Sequence, residues 1–182
     1  MSIINVTMFV DIIGILRNYP VSGSTDTCIE GFEKYIFFVT DWSDVNFGGP
    51  YGVRSAGKSA DEGSCWIDIK AAAGDCIHFR AIGLSLGFEY QCFIHPFSFS
   101  DSRIVSDAKP VASSRLVAVR DQAGKVVVKQ IDDYHLEAQV TGPGHVSYRV
   151  SFSVFDSTGV RIAILTLDPN IEIPGTSRYA VG

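Results

Sequence analysis

The alternation of apolar and polar residues between Tyr134 and Ile173 constrains the fold of this chain more than any other feature. Turn sequences separate two long alternating stretches and a shorter one, whose apolar positions are Tyr134, Leu136, Ala138 and Val140; Val146, Tyr148, Val150, Phe152 and Val154; and Val160, Ile162 and Ile164. Successive side chains of a β-strand point to opposite faces, so a period of two predicts strands with one buried and one solvated face. Consecutive strands of this kind predict an antiparallel sheet.

The rest of the chain carries further stretches of strand length and no helical periodicity over ten or more residues. The stretches are residues 4–12 (Ile4, Val6, Met8, Val10 and Ile12 inward), 34–40, 64–70, 75–82, 88–99, and a hairpin of 115–120 with 125–131. Many short strands with turn signals between them are typical of sandwiches. We therefore predict one all-β domain over residues 1–182, an antiparallel, jelly-roll-like β-sandwich of about eight to ten strands with little helix.

Charge and hydropathy argue against two classes of partner. The net charge is -5, and the 15 Lys and Arg residues are scattered singly, whereas nucleic-acid binding needs a basic stripe. Met1 to Val10 contain no Lys or Arg, and Asp11 interrupts the first apolar stretch, so no secretory signal is predicted. No apolar run is long enough to cross a bilayer. We expect a cytoplasmic protein without nucleic-acid or membrane partners.

The cysteines and histidines show no spacing that is typical of a metal site. Neither a C-x-x-C pair nor an H-x-H pair occurs among Cys28, Cys65, Cys76, Cys92, His78, His95, His135 and His145. Cys65, Cys76 and Cys92 are expected to be reduced, buried thiols within strands. The stretch from Asp132 to His135 could gather ligands, but a strand entry with solvated carboxylates is the preferred interpretation. No cofactor is therefore predicted.

The pentapeptide from Gly83 to Gly87 matches the G-x-S-x-G motif of serine hydrolases around Ser85. That motif works only where a strand precedes the serine and a helix follows it, because this turn exposes the hydroxyl group. Here a second strand is predicted after the pentapeptide, so a hairpin turn explains both glycines. A hydrolase that uses Ser85 with Asp132 or Asp133 and His135 is the alternative, and we predict that the protein is not an enzyme.

The stretch from Asp41 to Tyr51 has the composition of a ligand-binding loop. It combines side-chain oxygens, aromatic rings and glycine amides, which are the groups that bind a sugar or a similar polyol; the candidate ligand-binding residues are Asp41, Trp42, Asp44, Asn46, Gly48, Gly49 and Tyr51. The same oxygens could hold Ca²⁺, although the EF-hand spacing is absent. An ordinary connecting loop is the other interpretation, because these residue types are common in turns. A carbohydrate-binding, lectin-like module, with or without calcium, is thus the alternative function.

Four segments together resemble the PixA/AidA inclusion-body protein family of bacteria. They are residues 3–16, with Asp11 and Gly14; residues 74–81; residues 148–154; and residues 167–173, with Asp168-Pro169 near the C-terminal end of the chain. The resemblance covers nearly the whole chain and consists of strand patterns and a few fixed positions. None of these segments carries a catalytic motif.

The resemblance implies a function as well as a fold. The best-known members accumulate as cytoplasmic inclusions in bacteria that are associated with hosts or respond to quorum sensing. We therefore expect a non-enzymatic protein that self-associates as a homodimer or a higher homo-oligomer, in the cytoplasm and in inclusion bodies. The type member is rich in methionine, whereas this chain has only Met1 and Met8, so a methionine-storage role is not expected.

Overall fold

The computed structural model describes residues 1–29, 31, 34–45, 67–85, 89–167 and 170–173. These residues form twelve strands and one α-helix: β1 Ile3–Val10, α1 Ile12–Asn18, β2 Asp26–Cys28, β3 Ile36–Val39, β4 Ile67–Asp68, β5 Cys76–Gly83, β6 Tyr90–Ile94, β7 Lys109–Arg120, β8 Val126–Gln139, β9 Gly144–Ser147, β10 Val150–Asp156, β11 Arg161–Leu167 and β12 Asn170–Ile173. The predicted all-β fold with little helix is confirmed.

The strands form three sheets, and in each sheet the spatial order of the strands differs from their order in the chain. The first sheet has the order β3-β1-β5-β8-β7, the second β2-β11-β10-β6, and the third β4-β12-β9. Most of the described pairings are antiparallel, but β1 pairs with β5, β2 with β11, and β4 with β12 in parallel. The predicted, mostly antiparallel architecture therefore includes three parallel pairings, which arise because strands distant in sequence become neighbours.

One hydrophobic core joins the first and second sheets. Alternate residues of β1, β5 and β8 face side chains of β6, β10 and β11, and the buried side chains include Val6, Met8, Ile77, Phe79, Leu136, Ile94, Phe152, Val154 and Leu165. Four aromatic rings fill one part of this core: Phe79, Phe97, Phe99 and Tyr148 have ring centroids 5.1–6.3 Å apart. Two packed layers of this kind bury the apolar face of each sheet.

The first strand ends earlier than the alternation predicts. Ile12 is not a strand residue but the first residue of α1, and Asp11 caps this helix by accepting a hydrogen bond from the Gly14 amide at 2.9 Å. A Cβ atom at Gly14 would lie within 3 Å of the Asp11 carboxylate, so this position suits glycine. Local capping thus overrides the apolar period at Ile12.

Two of the predicted strands have different limits in the structure. The stretches 125–131 and 134–141 are one continuous strand, β8, and the predicted strand 146–154 is divided into β9 and β10, which lie in different sheets. The alternation is maintained through Tyr148, but the chain changes partner there: Ser147 pairs with Asn170, and Val150 pairs with Leu167. Period alone cannot show where a strand changes its partner.

No helix among the described residues has the length and apolar character required to cross a membrane.

Candidate functional site

The outer face of the first sheet carries a group of polar residues that we call the outer cluster: Asn5, Cys76, His78, Arg80, Asp133, His135 and Glu137. Their strand neighbours Ile77, Phe79 and Leu136 are buried in the core, so the outer cluster occupies the opposite face. The ladders bring β1, β5 and β8 side by side, with Asn5 opposite His78 and His78 opposite Glu137.

A charge network occupies one end of the outer cluster. Arg80 donates from Nη2 to Asp133 Oδ2 at 2.8 Å and from Nη1 to Asn5 Oδ1 at 3.1 Å. Arg115 Nη2 lies 3.7 Å from Asp133 Oδ1. The hydrogen bond from Arg80, together with the charges of the two arginines, lowers the pKa of Asp133. This carboxylate is mostly buried, so the expectation of solvated carboxylates at this strand entry is wrong for Asp133, while Asp132 is exposed.

His135 lies at the centre of the outer cluster and is only 5% exposed. Neither of its ring nitrogens has a hydrogen-bond partner within the described part of the chain. The nearest carboxylate oxygen, Asp133 Oδ2, is 3.8 Å from Nδ1, which is too long for a hydrogen bond. Burial, followed by the repulsion of His78 and Arg80, lowers the pKa of His135, so its ring is neutral at pH 7. Its ring packs against that of His78 with centroids 4.3 Å apart.

The other end of the outer cluster combines a thiol, an imidazole and a carboxylate. His78 Nε2 lies 3.5 Å from Glu137 Oε2, and one donor atom from each of Cys76, His78 and Glu137 lies within 4.8 Å of the others. Burial, then the charge of Glu137 and its hydrogen bond with the thiol, raise the pKa of Cys76 to about 11. These three side chains are ligands that a transition metal ion accepts.

The loop predicted to bind a ligand is described only at its start. Asp41 Oδ1 accepts hydrogen bonds from the backbone amide of Ser43 at 3.0 Å and from its hydroxyl at 2.8 Å, and so caps a 3₁₀ turn at Trp42–Asp44. These bonds lower the pKa of Asp41, whereas burial raises that of Asp44. The Trp42 side chain is 69% exposed. The other predicted residues lie outside the described residues: Asn46, Gly48, Gly49 and Tyr51.

Ser85 stands in a turn at the end of β5, as predicted, and its hydroxyl is buried without a hydrogen-bond partner among the described residues. Strand β6 begins five residues later, at Tyr90, which leaves no room for the long helix of a nucleophile elbow. The predicted hairpin is wrong, because β5 and β6 belong to different sheets. The turn therefore carries the chain from one layer to the other.

A second serine, Ser153, contacts a histidine that is distant from it in sequence. His95 Nε2 lies 2.8 Å from the Ser153 hydroxyl, and burial, then the charge of Arg161, lowers the pKa of this histidine. Ser153 is 3% exposed in the middle of β10. A serine so deeply buried cannot receive a substrate carbonyl, so this pair belongs to the packing of the second sheet.

A surface groove of about 600 Å³ lies beside α1. Apolar and oppositely charged residues line it together: Ile13, Leu16, Arg17, Glu89, Tyr90, Asp156 and Ser157. This mixed lining matches no single class of ligand.

Sequence reasoning missed the outer cluster for a topological reason. Cys76 and His78 alternate with core residues on β5, and His135 and Glu137 alternate with core residues on β8, so their common parity was visible. The sequence does not show, however, that His78 pairs with Glu137, which lies 59 positions further along the chain. The prediction of buried cysteines within strands is confirmed for Cys76 and Cys92, while Cys65 lies outside the described residues.

The fold places the chain in the class of all-β proteins built from packed sheets, and one sheet face carries a cluster of titratable residues. The family model for the PixA inclusion body protein matches residues 2–173, so the chain belongs to the PixA inclusion body protein family. Comparison with curated proteins found no match. Among solved structures, the crystal structure of an inclusion body protein (PixA) from Burkholderia cenocepacia J2315 is similar, with a TM-score of 0.66 and 13% identity over 94% of this chain and 95% of that one. The predicted family is confirmed, and the structural likeness independently supports the fold.

Proposed function

We propose that this protein is a non-enzymatic inclusion-body protein that self-associates in the cytoplasm of a host-associated or quorum-regulated bacterium. Membership of the PixA family supports the inclusion-body part of this proposal. The observation that carries the self-association is an exposed hairpin at the edge of the first sheet. The two serines described above support the non-enzymatic part, because neither the turn at Ser85 nor the buried Ser153 presents an accessible nucleophile.

The exposed hairpin is the outer half of β7 and β8, residues 113–132, which we call the arm. Only the last four residues of β8 pair with β5, whereas the ladder between β7 and β8 continues to Arg120 and Val126. At its tip, Gly124 adopts a φ of +77° and Asp121 accepts hydrogen bonds from the amides of Ala123 and Lys125. A two-stranded ribbon is only marginally stable alone in water, so the arm gains from a surface that covers it.

The arm exposes apolar side chains on both of its faces. Leu116 and Val128 are 72% and 66% exposed on one face with Val126, and Ile131 is 38% exposed on the other. Complete burial of such a side chain contributes about 1.5–3 kcal/mol, so covering the exposed parts of these four contributes about 3.5–7 kcal/mol. Association itself costs about 4–15 kcal/mol. Apolar burial on the arm therefore offsets the cost of association only at the lower end of that range, so we expect association that is weak and depends on protein concentration.

Charge favours the body of a second copy as the partner of the arm. The arm contains four Lys or Arg and two Asp, a net charge of +2, whereas the whole chain has -5, which leaves -7 for the rest of the chain. An arm that contacts the body of another copy forms a heterologous contact, and such contacts propagate into open assemblies unless they close a ring. Propagation of this kind would produce an inclusion when the protein is abundant.

Light scattering coupled to size exclusion tests the proposal over a wide range of protein concentrations. We expect the apparent mass of the unmodified protein to rise with concentration and to fall with added salt, because salt screens the attraction between arm and body. Replacing Leu116, Val126 and Val128 by Thr keeps the preference for β-structure while removing apolar surface, so it should weaken association at least tenfold. Val160, 57% exposed in a distant turn, supplies the matched control Val160→Thr. A strict monomer, or variants that associate like the unmodified protein, would refute the proposal.

A lectin-like function is the second candidate, and the exposed ring of Trp42 beside the ionised Asp41 favours it. An exposed tryptophan offers the flat apolar face on which a sugar ring stacks. A glycan array, run with and without calcium, tests this candidate. Binding that disappears in Trp42→Ala would support a site at this loop, and a blank array would remove the candidate.

A further inference from the structure

The outer cluster holds three metal-ligand side chains and a buried imidazole beside them. We propose that it binds a divalent transition metal ion of the zinc type through Cys76 Sγ, a His78 ring nitrogen and a Glu137 carboxylate oxygen. This inference does not depend on self-association, because the ligands belong to β5 and β8 of a single copy.

The distances already approach those of a tetrahedral zinc site. Zinc bonds of about 2.0–2.3 Å place neighbouring ligand atoms about 3.3–3.6 Å apart. His78 Nε2 and Glu137 Oε2 are 3.5 Å apart, and the Cys76 sulfur lies within 4.8 Å of both donor atoms. Rotation of the Cys76 and Glu137 side chains is sufficient to close the remaining gap.

The backbone of the sheet makes this arrangement rigid. His78 and Glu137 occupy directly opposed positions of an antiparallel ladder, and Cys76 lies two residues before His78 on the same face. Hydrogen-bonded strands fix the Cβ atoms of all three ligands, so the metal need not order a loop. Sites on regular elements hold ligand geometry better than sites on loops.

An independent observation comes from His135. This side chain is more than nine-tenths buried, its ring packs against His78, and neither of its nitrogens has a partner among the described residues. A buried polar group without a hydrogen bond costs about 1–3 kcal/mol, so a ligand that satisfies it offsets a real penalty. We assign the fourth position of the site to a water molecule that is bound to the ion and accepts or donates a hydrogen bond at a His135 ring nitrogen.

Ligand chemistry identifies the class of ion. Thiolate and imidazole ligands select zinc and similar transition metals, whereas Ca²⁺ and Mg²⁺ require oxygen ligands. One thiolate and one carboxylate neutralise the two charges of the ion, and Arg80 and Asp133 beside the site neutralise each other. A partly buried site that is electrically neutral avoids the large cost of an unpaired charge.

The test uses the full-length protein, stripped with a chelator and titrated with Co²⁺ as a spectroscopic substitute for zinc. We expect one equivalent to bind, with a thiolate-to-cobalt charge-transfer band and the intense visible bands of tetrahedral Co²⁺. Competition by Zn²⁺ should remove these bands, and native mass spectrometry should show one zinc per chain. Addition of Ca²⁺ should leave them unchanged.

Variants distinguish this site from binding elsewhere. Cys76→Ser should abolish the charge-transfer band, and His78→Gln and Glu137→Gln should each weaken metal binding at least tenfold. Cys92→Ser, which alters a buried thiol of the second sheet, and Cys65→Ser should behave like the unmodified protein. Circular dichroism of each stripped variant verifies folding. If Cys76→Ser does not fold, the two Gln variants decide the question. Absence of the cobalt bands, or bands that survive both Gln substitutions, would overturn the proposal.

Discussion

Replacement of His135 by leucine should stabilise the metal-free protein. The imidazole is 5% exposed and both nitrogens lack hydrogen-bond partners in the described structure, whereas leucine has similar volume and no polar atom. Removing an unsatisfied buried polar group stabilises the folded state by about 1–3 kcal/mol, and imperfect packing of the new side chain reduces this gain. We therefore expect the free energy of unfolding to rise by about 1–2 kcal/mol.

Urea denaturation in the presence of a chelator measures this change, because bound metal would otherwise add its own stabilisation. The midpoint should move to higher urea at an unchanged m-value, and the melting temperature should rise by about 2–8 °C. His78→Leu is the matched control: its ring has a carboxylate 3.5 Å away, so the same substitution should give no gain. A loss of more than about 1 kcal/mol in His135→Leu would show that the imidazole is satisfied in the folded protein, and would refute the reasoning.

Three further predictions address the core, the pH dependence and the serine. Phe152→Ala should lower the free energy of unfolding by about 3–5 kcal/mol in urea titrations, because Phe152 is fully buried. The control Phe93→Ala should lower it clearly less, because Phe93 is half-exposed. Burial lowers the pKa of His95 in the folded state, so its contribution to stability is complete above about pH 6.5 and is lost as the pH falls further. Urea midpoints between pH 7 and pH 5 should therefore decrease less in His95→Gln than in the unmodified protein, with the exposed His145→Gln as the control; equal slopes would contradict this account. A fluorophosphonate probe should not label Ser85, and stoichiometric labelling that Ser85→Ala removes would identify a serine hydrolase.

The alternation of apolar residues predicted the strands well where a strand stays in one sheet along its whole length. Strand β1 begins near its predicted start, the turn between β7 and β8 lies where it was predicted, and Leu136 and Ala138 are buried as predicted, whereas β7 and β8 are longer than the predicted strands of the hairpin. The prediction failed at Ile12, where a local cap starts a helix, and at Tyr148, where the chain passes from one sheet to another. Periodicity indicates which residues of a strand share a face, but it does not indicate which other strand lies beside that strand.

The candidate sites show the same division. The sequence predicted a binding loop from the composition of a continuous segment, and of that segment the structure describes Asp41 to Val45. The outer cluster could not be predicted in this way, because Cys76 and Glu137 come from segments far apart in the chain. His135 was assigned to the wet face by its parity, yet it is buried. Neighbouring side chains of β5 cover that part of the face, as the packing of the His78 ring shows.

The sequence by itself determined the class of the fold, the residues that face the core and the family, because local period and short motifs survive in any arrangement of the strands. The tertiary structure decided which strands are neighbours, and with them the parallel pairing of β1 with β5 and the outer cluster. It also decided that the arm pairs only within itself, because only the last four residues of β8 pair with β5 while the rest of β8 pairs with β7 alone. These properties depend on contacts between residues distant in sequence, and such contacts are selected by the burial of the whole core rather than by any local preference.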